Sequence, residues 1–417
     1  MSVPLYRSRP GEPFHAKLGS QQINEFIHLS EGFSNAFLIV TSEGRIVVNA
    51  GMGMEAPIHK RNFDAISTAP TRYIILTQGH VDHVGGVPCF LEEGTEVVAH
   101  AGNAEHQSYD ARLAPFRGAR SAFAFKNRIK NLHDYVVKEL GPPPPQAIPT
   151  PTITFEDHHE IELGGLRIEL LGVAGGETND SLVIWLPDHG ICFTGNLFGC
   201  LFGHFPNLVT IRGDRYRDAL TVAAAVDRVL ELEPEHLLVG HHQPIAGKAL
   251  IREELERLRG AIHYVHDETV KGMNEGKDVH TLMQEIQLPP ELEVGEGYGK
   301  VSWSVRAIWE SYAGWFHHRS TTELYSVPPR AIHGDLVELV GGQSALVERA
   351  RARFEAGEAI EALHLLDVVL TQPRVEPAAL DLAIAVHRKL ENESVNFWLT
   401  PWLQTQVEKL EQRRDAQ

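Results

Sequence analysis

The stretch Y-I-I-L-T-Q-G-H-V-D-H-V-G-G at residues 73–86 constrains this chain more than any other part of it. A run of apolar β-formers ends at Thr77, and His80, Asp82 and His83, all able to bind a metal, follow at once. A buried strand that runs into such a turn delivers these side chains to one spot from a tight loop. Imidazole and carboxylate together suit a divalent cation of borderline softness. Gly85 and Gly86 let the backbone come close. The bland alternative is a surface loop in which Asp82 caps the following helix. The chain has 23 histidines, so one or two near an Asp mean little. The clustering after a strand, with His241 and His242 closing a later apolar run at 235–242, favours the metal.

Similar short runs recur through the first 250 residues. Residues 36–49 read as two strands about the Ser42-Glu43-Gly44 turn, and 94–100, 167–173, 181–187 and 190–195 read as further strands. Turns and helix-like stretches separate them, and G-P-P-P-P at 141–145 is a loop. After Leu250 the apolar period becomes helical, and nearly everything to Gln417 reads as helix. Residues 344–370 form a helical hairpin turning at Gly357, and 377–390 a further helix. The expectation is an α/β domain over 1–250 followed by an all-helical domain over 251–417.

The formal net charge is −17, with no dense Lys/Arg stripe, which disfavours nucleic acid as a partner. Cys89, Cys192 and Cys200 are odd in number and far apart, so they form no disulfide framework and fit a reducing compartment. No window approaches 18 consecutive apolar residues, so no membrane span is expected. The opening M-S-V-P-L-Y-R-S-R-P-G-E lacks the apolar run of a signal peptide. The expected location is the cytoplasm.

T-Q-G-H-V-D-H-V-G-G resembles the metallo-β-lactamase superfamily signature T-H-x-H-x-D-H-x-G-G, with Gln78 at the first His. G-G-E-T-N-D-S-L-V-I-W-L-P resembles the segment T-P-G-H-T-x-G-S, which places Glu177 at the usual first-metal His. F-T-G-N resembles F-x-G-D, with Asn196 at the bridging Asp, and V-G-H-H-Q-P resembles the final G-H segment, with His241 as a second-metal ligand. Within the superfamily the chain is most similar to the bacterial alkylsulfatase group, which uses Glu at the Glu177 position. Y-V-H-D-E-T-V-K-G-M-N-E-G at 264–276, L-P-P-E-L at 288–292, G-Y-G-K-V-S-W-S-V-R-A-I-W at 297–309 and Y-A-G-W-F at 312–316 resemble that group's dimerisation region. S-V-N-F-W-L-T at 394–400 resembles its continuation, and the expectation is a chain without the group's third, sterol-carrier-like domain. The resemblance implies an αββα sandwich followed by an all-helical dimerisation domain, and a homodimer formed through the latter.

It also implies a ligand set. Gln78, His80 and Glu177 take the first-metal position, Asp82, His83 and His241 the second, and Asn196 the bridge. Gln78 binds metal more weakly than imidazole, and Asn196 lacks the charge that draws two ions together. One ion, or one tight and one loose, is expected; zinc ranks first, with manganese and iron open. Hydrolysis would use a metal-activated water that Asp82 orients, with His242 as a proton donor or a bystander. Asn207 and Arg212 match the group's N-x-x-x-x-R-G segment, whose arginine resembles a sulfate binder. The alternative for Arg212 is a salt bridge to Asp214 or Asp218. Trp303 stands where the group has a His, and Pro206 stands in its L-H-N segment. With L-F-G-C-L-F-G-H-F at 197–205 nearby, this points to an apolar pocket wall, unless those aromatics are core.

The leading expectation is a hydrolase acting on an ester-type bond (sulfate, phosphate, carboxylic ester or lactone) of a small, partly apolar substrate. An iron-dependent, oxygen-using oxidoreductase on the same fold is the alternative. A non-catalytic scaffold ranks last, because Asp82, His83, Glu177 and His241 survive.

Overall fold

The computed structural model describes residues 16–173 and 175–416; the opening residues read above for a leader lie outside them. The chain divides into two compact units, Met1–Tyr312 and Ala313–Gln417.

The first unit holds two sheets. In one, β1 (Gln21–Gln22), β2 (Ile27–Ser30), β3 (Ala36–Thr41), β4 (Gly44–Val48), β5 (Thr71–Ile75), β6 (Glu96–His100) and β7 (Ile153–Phe155) lie side by side in chain order. The first four are antiparallel, and β4 to β7 run parallel. The other sheet runs from β8 (His158–Leu163) through β9 (Leu166–Gly172), β10 (Leu182–Leu186), β11 (Ile191–Gly195) and β12 (His236–Val239) to β13 (Ile245–Ala246). Its pairs are antiparallel except β11–β12, whose crossover carries the helix Ala219–Leu232.

The central strands β3, β10 and β11 read as nearly unbroken apolar runs because both faces are buried. On β3, Phe37 and Ile39 point between the sheets while Leu38 points the other way. Ile27, Phe37 and Ile46 meet Ile168, Leu182 and Phe193 in the inter-sheet core, where the Phe37 and Phe193 rings sit edge-on at 5.2 Å. Outside the first sheet, Leu38, Val47 and Ile74 pack on Phe63 and Phe90. Outside the second, Val183, Trp185 and Leu237 pack on residues of the helices Ala219–Leu232, Lys248–Asn274 and Val301–Ala313. The result is the expected αββα sandwich.

The compact unit does not end near residue 250. Ile251, Leu255, Ile262, Val301 and Val305 belong to the same core as the second sheet, so this unit runs on to Tyr312. The stretch after 250 is also less helical than expected, since residues 286–300 hold only the 3₁₀ turn Pro290–Leu292. Conversely, the helices Asn103–Arg112 and Ala114–Leu140 arise where only a general alternation was read.

The second unit is built from the helices His333–Leu339, Gln343–Glu355, Ala359–Leu370, Pro377–Glu393 and Leu399–Asp415 around a core of Ala350, Leu366, Leu380 and Val386. Its hairpin turns at Gly357, whose φ of +87° needs a residue without Cβ. Among the described residues no helix is long and apolar enough to cross a membrane, and Cys89, Cys192 and Cys200 are free.

Candidate metal centre

The four-residue helix Val81–Val84 follows β5 and places Asp82 and His83, while His241 follows β12 on the other sheet. Donor atoms of these three side chains all lie within 4.8 Å of one another. Asp82 Oδ2 stands 3.7 Å from His83 Nε2 and 3.6 Å from His241 Nε2. His83 is fully buried, and both its ring nitrogens lack a hydrogen-bond partner among the described residues. Two orphaned ring nitrogens in one buried imidazole are costly unless something outside the protein meets them.

One short loop joins the two ligand segments. His241 Nδ1 donates to the Phe33 carbonyl at 2.8 Å, which turns its Nε2 towards Asp82. Ser34 Oγ donates to the Asp82 carbonyl, and Asn35 Nδ2 donates to the carbonyls of Val239, at 2.9 Å, and His242, at 2.7 Å. Gly240 allows the close approach. A Cβ there would meet Asn196 Oδ1 at 2.2 Å and His83 Cε1 at 3.0 Å. Asn196 Oδ1 is itself buried without a partner among the described residues and lies on the His83 side of the site.

Burial holds the His83 imidazole below its usual range. Burial works the same way on His241, but Cys200, Asp82 and Glu177 outweigh it and push that group up to about 10. For His242, burial with His241 and His204 beside it pushes the value down to about 3. His242 is therefore uncharged and only weakly basic at neutral pH.

Gln78, His80 and Glu177 also come together, and most of their polar atoms are engaged with the protein, although His80 Nε2 is buried without a partner among the described residues. Gln78 Nε2 meets His80 Nδ1 at 2.6 Å, and Gln78 Oε1 accepts the Asn196 N–H at 3.2 Å. Glu177 Oε2 lies 4.0 Å from His80 Nδ1, while its Oε1 accepts the Tyr298 hydroxyl at 2.5 Å. Burial and the Glu177 charge hold Tyr298 well above the usual phenol range, so it remains a donor. On its other side, the His80 ring lies 5.3 Å from that of His106, tilted by 57°, and His106 lies 3.9 Å from the buried Asp180.

Arg212 has its guanidinium 4.0 Å from Asp214, one of the two surface partners weighed for it; Asp218 instead caps the helix Ala219–Leu232. Asn207 is buried, and its carbonyl accepts from Arg217. Trp303 is half-buried on the helix Val301–Ala313, and the contact described for it is the Lys300 ammonium 5.9 Å from its ring centre. Phe198, Phe202 and Phe205 are buried in the core beneath the second sheet, so these aromatics are packing rather than pocket wall. Sequence reasoning missed the Phe33–Asn35 clip, Tyr298, Arg217 and His106. Tyr298 lies in G-Y-G at 297–299 and Arg217 in R-Y-R-D at 215–218, stretches with no ligand spacing to mark them.

Residues 29–241 match the family model of the metallo-beta-lactamase superfamily, and residues 278–413 match that of alkyl sulfatase dimerisation. The linear primary-alkylsulfatase of a Pseudomonas species is 28% identical, covering 89% of this chain and 73% of its own length. The alkyl/aryl-sulfatase of Saccharomyces cerevisiae is 26% identical over 69% of this chain and 47% of its own. Among solved structures, the stereoselective inverting sec-alkylsulfatase from Pseudomonas sp. superposes with a TM-score of 0.83 at 20% identity. That match covers 94% of this chain and 65% of the solved one, so the chain spans just under two thirds of that relative's length. The chain belongs to the metallo-beta-lactamase superfamily, in which it joins that domain to the dimerisation region of the alkylsulfatase group.

Proposed function

We propose that this protein hydrolyses the sulfate ester of a small, partly apolar molecule, with one divalent cation held by Asp82, His83 and His241. The single observation that carries this is the convergence of those three donors from two different sheets, with both His83 nitrogens buried and unpartnered. The sulfate ester, as against the wider set of esters first considered, comes from the relatives, whose names are alkylsulfatases. Zinc is the first candidate ion for this nitrogen and oxygen set.

A cation there supplies a water nucleophile at neutral pH, with its pKa lowered from about 15.7 to about 7. Asp82 carries the only full negative charge of the trio, and its second oxygen would orient that water. Arg212, half-buried near the site, offers a planar fork that suits two sulfate oxygens. Asn207 would serve by fixing Arg217 through its carbonyl. His242, next to the ligand His241 and neutral at pH 7, would assist by hydrogen bonding to the leaving oxygen or the nucleophile rather than by holding the water's proton. Trp303 would act as an apolar wall for the alkyl part, since an indole cannot protonate a leaving oxygen.

The test is sulfate release from a linear primary alkyl sulfate by zinc-loaded protein, with inorganic sulfate measured directly. Asp82→Ala should lower the rate by about three orders of magnitude, the several kcal/mol that metal activation supplies. Its circular dichroism should stay unchanged. Wild-type turnover that survives chelation, or an Asp82→Ala protein as active as wild type, contradicts the assignment. The residues 313–417, covered largely by the dimerisation match, are the proposed contact for a second copy.

A further inference from the structure

At the position formed by Gln78, His80 and Glu177, the Gln78 amide, His80 Nδ1 and Glu177 Oε1 already hold hydrogen-bond partners within the protein, while His80 Nε2 has none among the described residues. The Gln78 amide is used at both ends, on Asn196 and on His80. With Nδ1 of His80 accepting from that amide, the ring proton lies on Nε2, and no lone pair faces Glu177. Glu177 Oε1, held by Tyr298, also lies 3.5 Å from Arg217 Nη1. Arg217 is fixed in turn by the Asn207 carbonyl and by Asp214 at 3.9 Å, and its side chain is only 10% exposed. A guanidinium does not lose its proton in a protein, so its charge at this spot is permanent.

We propose that the Arg217 guanidinium is the resident cation of this position, in place of a second divalent ion. The pocket then pairs one removable ion with one permanent positive charge, and Glu177 serves as the arginine's counter-ion rather than as a metal ligand. The inference rests on the assignment of Asp82, His83 and His241 as the ion site. Restoring donor atoms at Gln78 and Asn196 does not reopen the position, because a dication there would face the Arg217 charge across Glu177.

The experiment is zinc content per chain after dialysis against zinc and desalting. Wild type should hold one zinc, and Asp82→Ala none. Gln78→His with Asn196→Asp should still hold one. Adding Arg217→Met to that pair should raise the content to two, and adding Arg217→Lys, which keeps the charge, should leave it at one. Two zinc ions in the Gln78→His, Asn196→Asp protein with Arg217 in place overturn the inference. So does a single ion after Arg217→Met. Should the Arg217→Met protein fail to fold, the Arg217→Lys protein decides: one ion supports the inference and two overturn it. Zinc retained by Asp82→Ala would instead sink the underlying ion site, a separate failure.

Discussion

At the scale of single residues, the site stores its readiness for a cation in protonation. Without an ion, the charge on Asp82 is met by a protonated His241, raised to about 10 by Cys200, Asp82 and Glu177 against the pull of burial. A cation needs the Nε2 lone pair, so loading it must expel that proton. The sign follows directly: below pH 10 the ion-free protein holds a proton that the loaded protein does not. Zinc affinity should therefore rise about tenfold per pH unit between pH 7 and 9, with close to one proton released. Calorimetric titration of zinc in two buffers of different ionisation enthalpy reads this, and heats independent of buffer would contradict it. His80, Asp82 and His83 were legible in the sequence because one turn supplies them consecutively. Arg217 and Tyr298 were not, because each acts only through Glu177, from segments 40 and 121 residues away.

At the scale of elements, the metal trio depends on a clip that no periodicity announces. β5 and β12 belong to different sheets, and the residues between β2 and β3 set the spacing of the loops that follow them. Asn35→Ala removes two bonds at once, one buried and one partly buried, and leaves the Val239 and His242 carbonyls without that donor. The expected cost is about 1–3 kcal/mol in urea unfolding. The ion-free protein should show the loss too, and zinc affinity should fall by about 10–100-fold. Unchanged stability and affinity would show that the clip is incidental. Strands were readable because both faces are apolar and the runs are rich in Val, Ile and Leu. The helix Ala114–Leu140 was not, since exposed Phe116 and interspersed Arg and Lys blur its stripe.

At the scale of the whole molecule, the second unit exposes large apolar groups in its first thirty residues or so. Trp315 and Tyr325 are each 70% exposed and Leu339 81%, more surface than a lone soluble domain usually leaves uncovered. Continuity with the region matching alkyl sulfatase dimerisation points to a second copy of this chain as their cover. Light scattering at micromolar concentration should give a dimer, and Leu339→Glu with Tyr325→Ser should shift it toward monomer by at least tenfold in dissociation constant. A wild-type monomer would contradict this. The change from alternating strands to helices after residue 250 was legible; where the first unit ends was not. The helices Lys248–Asn274 and Val301–Ala313 present apolar stripes that look alike whether they cover the second sheet or one another, and only packing decides which.

The central claim is that Asp82, His83 and His241 hold one divalent ion. Anomalous scattering from crystals of the zinc-loaded protein, recorded on both sides of the zinc edge, tests it most directly. One peak per chain is predicted, within bonding distance of Asp82 Oδ2, His83 Nε2 and His241 Nε2. A peak lodged instead among Gln78, His80 and Glu177, or no peak beside His83, would contradict it.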